Sequence, residues 1–258
     1  MHAILLDNTK CVGCGACMAA CREKNGLPET DAQDLAANQF TIVKQTKARN
    51  GEDVNYRRMC MHCVDPTCAS VCPVGALHKT PGGPVVYNAD ICLGCRYCIQ
   101  ACPFGVPKYE WTALAPRVRK CTFCADRLAA GKINACAEAC EFGATVAGDR
   151  DALLKEARAR LAAEPDKYVQ KIYGEHEVGG TSVLMLSSVP FEAMGLPANL
   201  PAEPLPLLTF RVLSKIPPVV GAGAVLLSAL WWLTDRKRKV AQAEGAAQPA
   251  AVEAGGQQ

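Results

Sequence analysis

The sixteen cysteines of this chain fall into four groups of four, and that spacing restricts the fold more than any other feature. Cys92, Cys95, Cys98 and Cys102 follow the pattern C-x2-C-x2-C-x3-C, with Pro103 directly after the last. Three thiolates in so tight a loop converge on one inorganic centre, and in this spacing the fourth reaches across to a second 4Fe-4S cluster. One such group therefore predicts a partner. Cys60, Cys63, Cys68 and Cys72 supply it, again followed by proline and with two extra residues between the second and third members.

The pattern recurs outside this pair. Cys11, Cys14, Cys17 and Cys21 repeat it near the N-terminus, and Cys121, Cys124, Cys136 and Cys140 close the series, with Ala125 to Ala135 inserted in the middle. Cross-ligation predicts that Cys60, Cys63, Cys68 and Cys102 hold one cluster, and Cys92, Cys95, Cys98 and Cys72 another. By the same logic the first and last groups pair. Cys11, Cys14, Cys17 and Cys140 would then hold a third cluster, and Cys121, Cys124, Cys136 and Cys21 a fourth. The expected cofactors are thus four 4Fe-4S clusters with these sixteen cysteines as iron ligands. A short helix should begin after each third ligand and carry the fourth.

Two other readings of the cysteines are weaker. Disulfides join distant elements and do not call for groups of four at two-residue gaps. Structural zinc sites use two C-x2-C pairs separated by a longer loop, and a fourth ligand spaced to serve a neighbouring site has no counterpart in an isolated tetrahedral centre. A formal charge of +3 is too small to imply a nucleic-acid partner, no basic stripe interleaved with aromatics occurs before the C-terminus, and no such partner is expected. No catalytic residue is assigned, because every cysteine is taken as a ligand and no nucleophile–base pair or open metal site is left over. The four histidines, at 2, 62, 78 and 176, show no metal spacing of their own and read as structural. Arg117, Arg119 and Lys120 just before Cys121, and Arg96 inside the central motif, either raise a cluster's potential or form a solvated basic surface.

The fold class read from these patterns is α+β: two ferredoxin-like modules with a β-hairpin insertion, followed by one transmembrane helix. The double module occupies 1–148, and the insertion 22–59. Within it, Phe40 to Thr46 and Val54 to Met59 read as strands, with the Asn-Gly signal of Ala48 to Gly51 between them. A helix from Asp149 to Leu161 and a strand near Ser182 to Val189 form an extension over 149–189. Residues 190–215 carry Pro190, Pro197, Pro201, Pro204 and Pro206 and read as an extended connector.

Ile216 to Thr234 carries no charge. At 1.5 Å per residue it spans roughly 28 Å, close to the hydrocarbon thickness of a bilayer. Trp231 and Trp232 suit an interfacial belt, and Arg236 to Lys239 follow at once. Against Arg211 and Lys215 on the other side, these four cations predict a cytoplasmic C-terminus and a periplasmic cluster domain at a single-pass inner-membrane protein. Residues 235–258 read as a basic then disordered tail. The opening MHAILLDNTKC shows neither a charged leader with an apolar core nor a twin arginine.

With CMHCVDPTCASVCPVGAL from Cys60, CRYCIQACPFGVPKY from Cys95 and YGEHEVGGTSVLMLSSVPFEAMGLP from Tyr173, the chain closely resembles the iron-sulphur electron-transfer subunits of hydrogenase 2 and of the respiratory formate dehydrogenases. More distantly it is similar to those of the dimethyl sulphoxide and polysulphide reductases. The likeness runs from Leu5 to the apolar helix. Cys140-Glu141 stands where family members often have Cys-Pro, which touches no ligand, and export would rest on a partner's signal or on a start upstream of Met1. The resemblance implies a non-catalytic subunit of a membrane-bound oxidoreductase complex. It would relay electrons between a catalytic subunit, a nickel-iron hydrogenase or a molybdopterin oxidoreductase, and an integral membrane quinone-reactive or cytochrome subunit. The competing expectation is an iron-sulphur oxidoreductase acting directly on a substrate at an exposed cluster, although no Gly-rich dinucleotide fingerprint supports a flavin version.

Overall fold

A computed structural model describes residues 1–48 and 51–246. The chain divides into two compact units, Met1–Leu207 and Leu208–Gln258. In order, the first unit contains β1 (His2–Asp7), α1 (Ala16–Asn25), β2 (Thr41–Lys47), β3 (Asp53–Met59), α2 (Thr67–Ser70), β4 (Leu77–Lys79) and β5 (Val85–Tyr87). It continues with α3 (Tyr97–Ala101), β6 (Lys108–Tyr109), β7 (Val118–Arg119), α4 (Ala125–Ala129), α5 (Ala135–Glu138), β8 (Thr145–Asp149), α6 (Arg150–Ala163) and β9 (Val183–Leu186).

β1 is the centre of a three-stranded sheet, antiparallel to β8 and parallel to β9. Side chains alternate across a strand. Ile4 and Leu6 therefore enter one apolar cluster with Val183 and Met185, while Ala3 and Leu5 enter another with Leu184 and Leu186. Both faces are buried, which is why these strands read as unbroken apolar runs. On one face lies α6, through Leu153, Leu154 and Ala157. On the other the core is shared with Cys21, Cys60, Cys121 and Cys136. The sheet is thus a wall with a helix behind it and the cysteine loops in front. α6 starts where the sequence places it, because the Asp149 carboxylate accepts from the Asp151 and Ala152 amides at 2.9 and 3.3 Å.

The remaining sheets are two-stranded pairs: β2 with β3, β4 with β5 and β6 with β7. The β2–β3 register runs from Thr41 opposite Met59 to Lys47 opposite Asp53. Arg49 and Asn50, the expected turn residues, lie outside the described residues.

The helices that were to begin after the third ligand of each group begin before it instead. α1, α2, α3 and α5 start ahead of Cys17, Cys68, Cys98 and Cys136, and only α1 carries its fourth cysteine, Cys21. Proline explains the difference at two groups. A residue before proline is pushed out of the helical region, so α2 and α3 stop short of Cys72-Pro73 and Cys102-Pro103. Arg22 replaces proline after Cys21, and α1 runs on to Asn25, where Gly26 ends it in the left-handed conformation.

The proline-rich passage is not extended throughout. Phe191–Met194 forms a 3-10 turn, and α7 (Leu205–Leu213) has Pro206 in its first turn, where proline lacks only a hydrogen bond that would not be made. In the second unit α8 runs from Ile216 to Ala246, with Pro217 and Pro218 likewise in its first turn. The helix continues past Thr234 through the basic residues. An Asp235–Lys239 pair at 2.8 Å and Arg236 over the Trp232 ring at 5.5 Å support that extension. The part of the expected tail beyond Ala246 lies outside the described residues. Among the described residues one helical stretch, Leu205–Glu244, is long and apolar enough to cross a membrane.

Leu5 is fully buried in the central strand. Leu5→Ala should cost about 2–5 kcal/mol, read as an earlier thermal loss of far-ultraviolet circular dichroism in the anaerobically prepared chain. Leu93→Ala, at a position 69% exposed, should stay within about 0.5 kcal/mol. Equal effects would contradict the central placement of β1.

Candidate metal centres

All sixteen cysteines are free thiols, and the fold gathers them into four sets of four. Cys11, Cys14, Cys17 and Cys140 line one cavity, here site I. Cys21, Cys121, Cys124 and Cys136 line a second, site II. Cys63 faces Cys60, Cys102 and Cys68, which makes site III, and Cys98 faces Cys92, Cys95 and Cys72, which makes site IV. Among the described residues no group of three or more His, Cys, Asp or Glu side chains is arranged around a single-ion position. The sites also follow one another. Cys17 of site I interacts with Cys136 of site II, Cys121 of site II with Cys60 of site III, and Cys68 of site III with Cys98 of site IV.

Four copies of one backbone device position these thiols. The residue before the second cysteine of each group has positive φ: Gly13 at 78°, His62 at 47°, Gly94 at 70° and Phe123 at 59°. This bend turns amides toward sulphur. Gly94 N donates to Cys92 Sγ at 3.4 Å and Phe123 N to Cys121 Sγ at 3.3 Å. A second device follows the fourth cysteine in three groups, where Gly75, Gly105 and Gly143, all of positive φ, donate back to the carbonyls of Cys72, Cys102 and Cys140. Histidine and phenylalanine in the left-handed region are held by packing. Both are buried, and their rings lie 4.5 Å apart. Asn134, buried, donates from Nδ2 to the Phe123 carbonyl at 2.7 Å.

Burial sets the electrostatics. It pushes the Cys21 and Cys68 thiols up to about 12 and Cys98 up to about 11, with neighbouring cysteines adding to the effect, and raises Cys63 and Cys121 further. Such thiols ionise only as they bind a cationic centre, which releases their protons. Lys120 is buried, and its Nζ donates to the carbonyls of Val85 and Cys121. Lys79 Nζ donates to the carbonyls of Cys63 and His62 at 2.8 and 3.2 Å. Burial, then Lys120 and Lys79, hold His62 well below its ordinary value, so it is neutral, and its Nδ1 accepts from Val85 N at 3.0 Å. Lys120 is therefore no solvated surface charge, whereas the Arg96 guanidinium lies over the Tyr109 and Trp111 rings. The other histidines are peripheral to the thiols: His2 bonds to Asn134, and His78 and His176 are exposed.

Sequence reasoning missed Arg57 and its neighbours. The hairpin read as an insertion supplies Val43 and Arg57 to the wall of site I and Thr41, Arg57 and Met59 to that of site II. Alternation in a strand does not single out a buried arginine between Tyr56 and Arg58.

Gly13 tests the repeated bend. A Cβ there would lie 2.9 Å from Asn55 Oδ1, and Asn55 Nδ2 donates to the Cys11 carbonyl at 3.1 Å. Gly13→Ala should add roughly 1–2 kcal/mol of backbone strain and displace that brace. Iron per chain should fall by about a quarter, one cluster of four. Full iron content with unchanged thermal stability would show that the bend does not depend on glycine.

A 4Fe-4S dicluster domain model matches residues 53–150, and a second 4Fe-4S dicluster domain model matches residues 10–76. The hydrogenase-2 operon protein HybA of Escherichia coli O157:H7 is 38% identical over 75% of this chain and 72% of its own length. The formate dehydrogenase-O iron-sulfur subunit of Escherichia coli K12 is 33% identical over 76% of this chain and 71% of its own. The formate dehydrogenase iron-sulfur subunit of Haemophilus influenzae is 30% identical over 90% and 80%. The thiol donor sets, the amides turned toward sulphur and the buried cations suit the clusters those domains bind, and the chain belongs to the family of 4Fe-4S dicluster iron-sulphur subunits that includes these relatives.

Proposed function

We propose that this chain is a non-catalytic electron-transfer subunit with four 4Fe-4S clusters, one at each of sites I to IV. Cys11, Cys14, Cys17 and Cys140 are the ligands at site I, and Cys21, Cys121, Cys124 and Cys136 those at site II. Cys60, Cys63, Cys68 and Cys102 serve site III, and Cys72, Cys92, Cys95 and Cys98 site IV. The observation that carries this reading is the succession of the four sets, joined by three neighbouring thiol pairs, Cys17 with Cys136, Cys121 with Cys60 and Cys68 with Cys98. A row of one-electron centres is a relay. Ligand spacing in which the fourth cysteine of a group serves a neighbouring site favours clusters over mononuclear zinc.

The two ends of the row are the exposed ones. Cys14 at site I and Cys95 at site IV are exposed. Val12 and Phe142 stand beside the first, and Ile91, Leu93 and Tyr97 beside the second. Apolar side chains around an exposed centre suit protein docking. One end would meet a catalytic subunit of nickel-iron hydrogenase or molybdopterin type, and the other an integral membrane quinone-reactive or cytochrome subunit. The relatives named for hydrogenase 2 and formate dehydrogenase support partners of this kind.

Anaerobically purified protein should contain roughly sixteen irons and as much acid-labile sulphide per chain. Cys102→Ser should alter the electron paramagnetic resonance signal of site III, to which it contributes from within the motif of Cys92, Cys95 and Cys98. Loss of the same signal as in Cys92→Ser would overturn the cross-ligation, and stoichiometric zinc with little iron would overturn the cluster reading.

Topology follows from charge. Arg236 to Lys239 border the apolar stretch on its C-terminal side, and short basic flanks stay cytoplasmic. The cluster domain would then be periplasmic at the inner membrane. A green fluorescent protein fused after Gln258 should fluoresce, and protease added to spheroplasts should reach the cluster domain. A dark fusion with a protected domain reverses the orientation.

A further inference from the structure

The residue between sites I and II is a buried arginine. Arg57 on β3 lines both cavities and is only 4% exposed. Its Nε donates to Thr41 Oγ1 at 2.7 Å and its Nη1 to Thr145 Oγ1 at 3.2 Å, so two buried hydroxyls from different sheets fix the guanidinium plane. Thiols favour its charge most, Cys136 first, then Cys17 and Cys121; among the described residues no salt bridge reaches it, and the Asp7 carboxylate of the site I lining is paired with Arg160 at 2.8 Å. Arg58, its neighbour in sequence, reaches the Asp34 carboxylate in the ordinary way.

A guanidinium cannot shed its proton inside a protein. Burying it without a counter-charge is strongly unfavourable, so a partner must be present when the protein is complete. The negative charge available around Arg57 is that of the thiolates at sites I and II, once they hold clusters. We propose that Arg57 is a counter-cation shared by the two clusters of sites I and II and that it raises the reduction potential of both. The inference rests on the ligand sets proposed above. Each reduction adds one electron, and one negative charge, to a cluster. A fixed cation favours that state over the oxidised one, and the low local dielectric makes the effect large at short range. Sites III and IV lie further along the row. Lys79 and Lys120 adjoin site III, so its potential should not follow Arg57.

Potentiometric titration of the full chain, with dithionite as electron donor and electron paramagnetic resonance as readout, tests this. In Arg57→Gln two midpoints of the four should fall. At a fixed potential the reduced-to-oxidised ratio of those two should drop at least tenfold, equivalent to 59 mV for one electron. They should be the two altered by Cys17→Ser and by Cys136→Ser. Arg57→Lys, which keeps the charge, should hold both near their original values. No fall, an equal fall in all four, or an Arg57→Lys as displaced as Arg57→Gln overturns the proposal. Should Arg57→Gln fail to take up clusters, Arg57→Lys decides: original midpoints uphold the proposal, and lowered midpoints or no clusters overturn it. Iron analysis of the unsubstituted protein keeps the two readings apart, because low iron there would defeat the ligand sets themselves.

Discussion

Sulphur that must be anionic inside a desolvated interior is the constraint on which the first unit depends. Burial pushes Cys21, Cys63, Cys68 and Cys121 far toward the neutral thiol, yet iron binds the thiolate. The unit answers in two ways. Left-handed bends point backbone amides at sulphur, and the buried cations Arg57 and Lys120, with the half-buried Lys79, sit beside the thiol sets. Both arrangements favour the thiolate over the thiol, so cluster binding and folding are coupled in free energy.

The rest of the unit holds that arrangement in place. The β8–β1–β9 sheet, buried on both faces, gives the loops a rigid back wall. The residues after Asp149 are part of this construction, since β9 pairs in parallel with β1 and the isolated bridge between Cys63 and Thr181 ties a cysteine loop to the strand's approach. Buried apolar area in the wall resists displacement of the loops packed against it.

The four groups show how far a repeat can diverge while keeping its geometry. Glycine occupies the bend in two loops, and histidine and phenylalanine occupy it in the others. The latter pair gives up backbone freedom and gains ring contact in the space between sites II and III. The groups also differ in how their helices end, and the residue after the fourth cysteine decides much of this: proline stops α2 and α3, and arginine lets α1 continue.

Much was legible in the sequence, because the signals were local. Ligand spacing, the apolar run from Ser182 to Val189, the helical pattern from Asp149 to Leu161 and the uncharged stretch before the Arg236 cluster each act over a few residues, and chain geometry alone gives them meaning. The sequence by itself therefore determined the chemistry of the donors, the main elements and a helix able to cross a membrane. It misjudged helix limits ahead of the third cysteines, at Cys72-Pro73 and Cys102-Pro103, where proline keeps the helix from reaching the fourth, and after Thr234, where the charged residues continue it. Only the tertiary structure decided that the hairpin walls two sites and that His62 and Phe123 accept a conformation suited to glycine. It also decided that Arg57 is buried between thiols while Arg58 reaches a carboxylate. The physical reason is that burial and charge pairing belong to contacts between segments far apart in the chain, and a strand's alternation assigns a side chain to a face without saying what that face will meet.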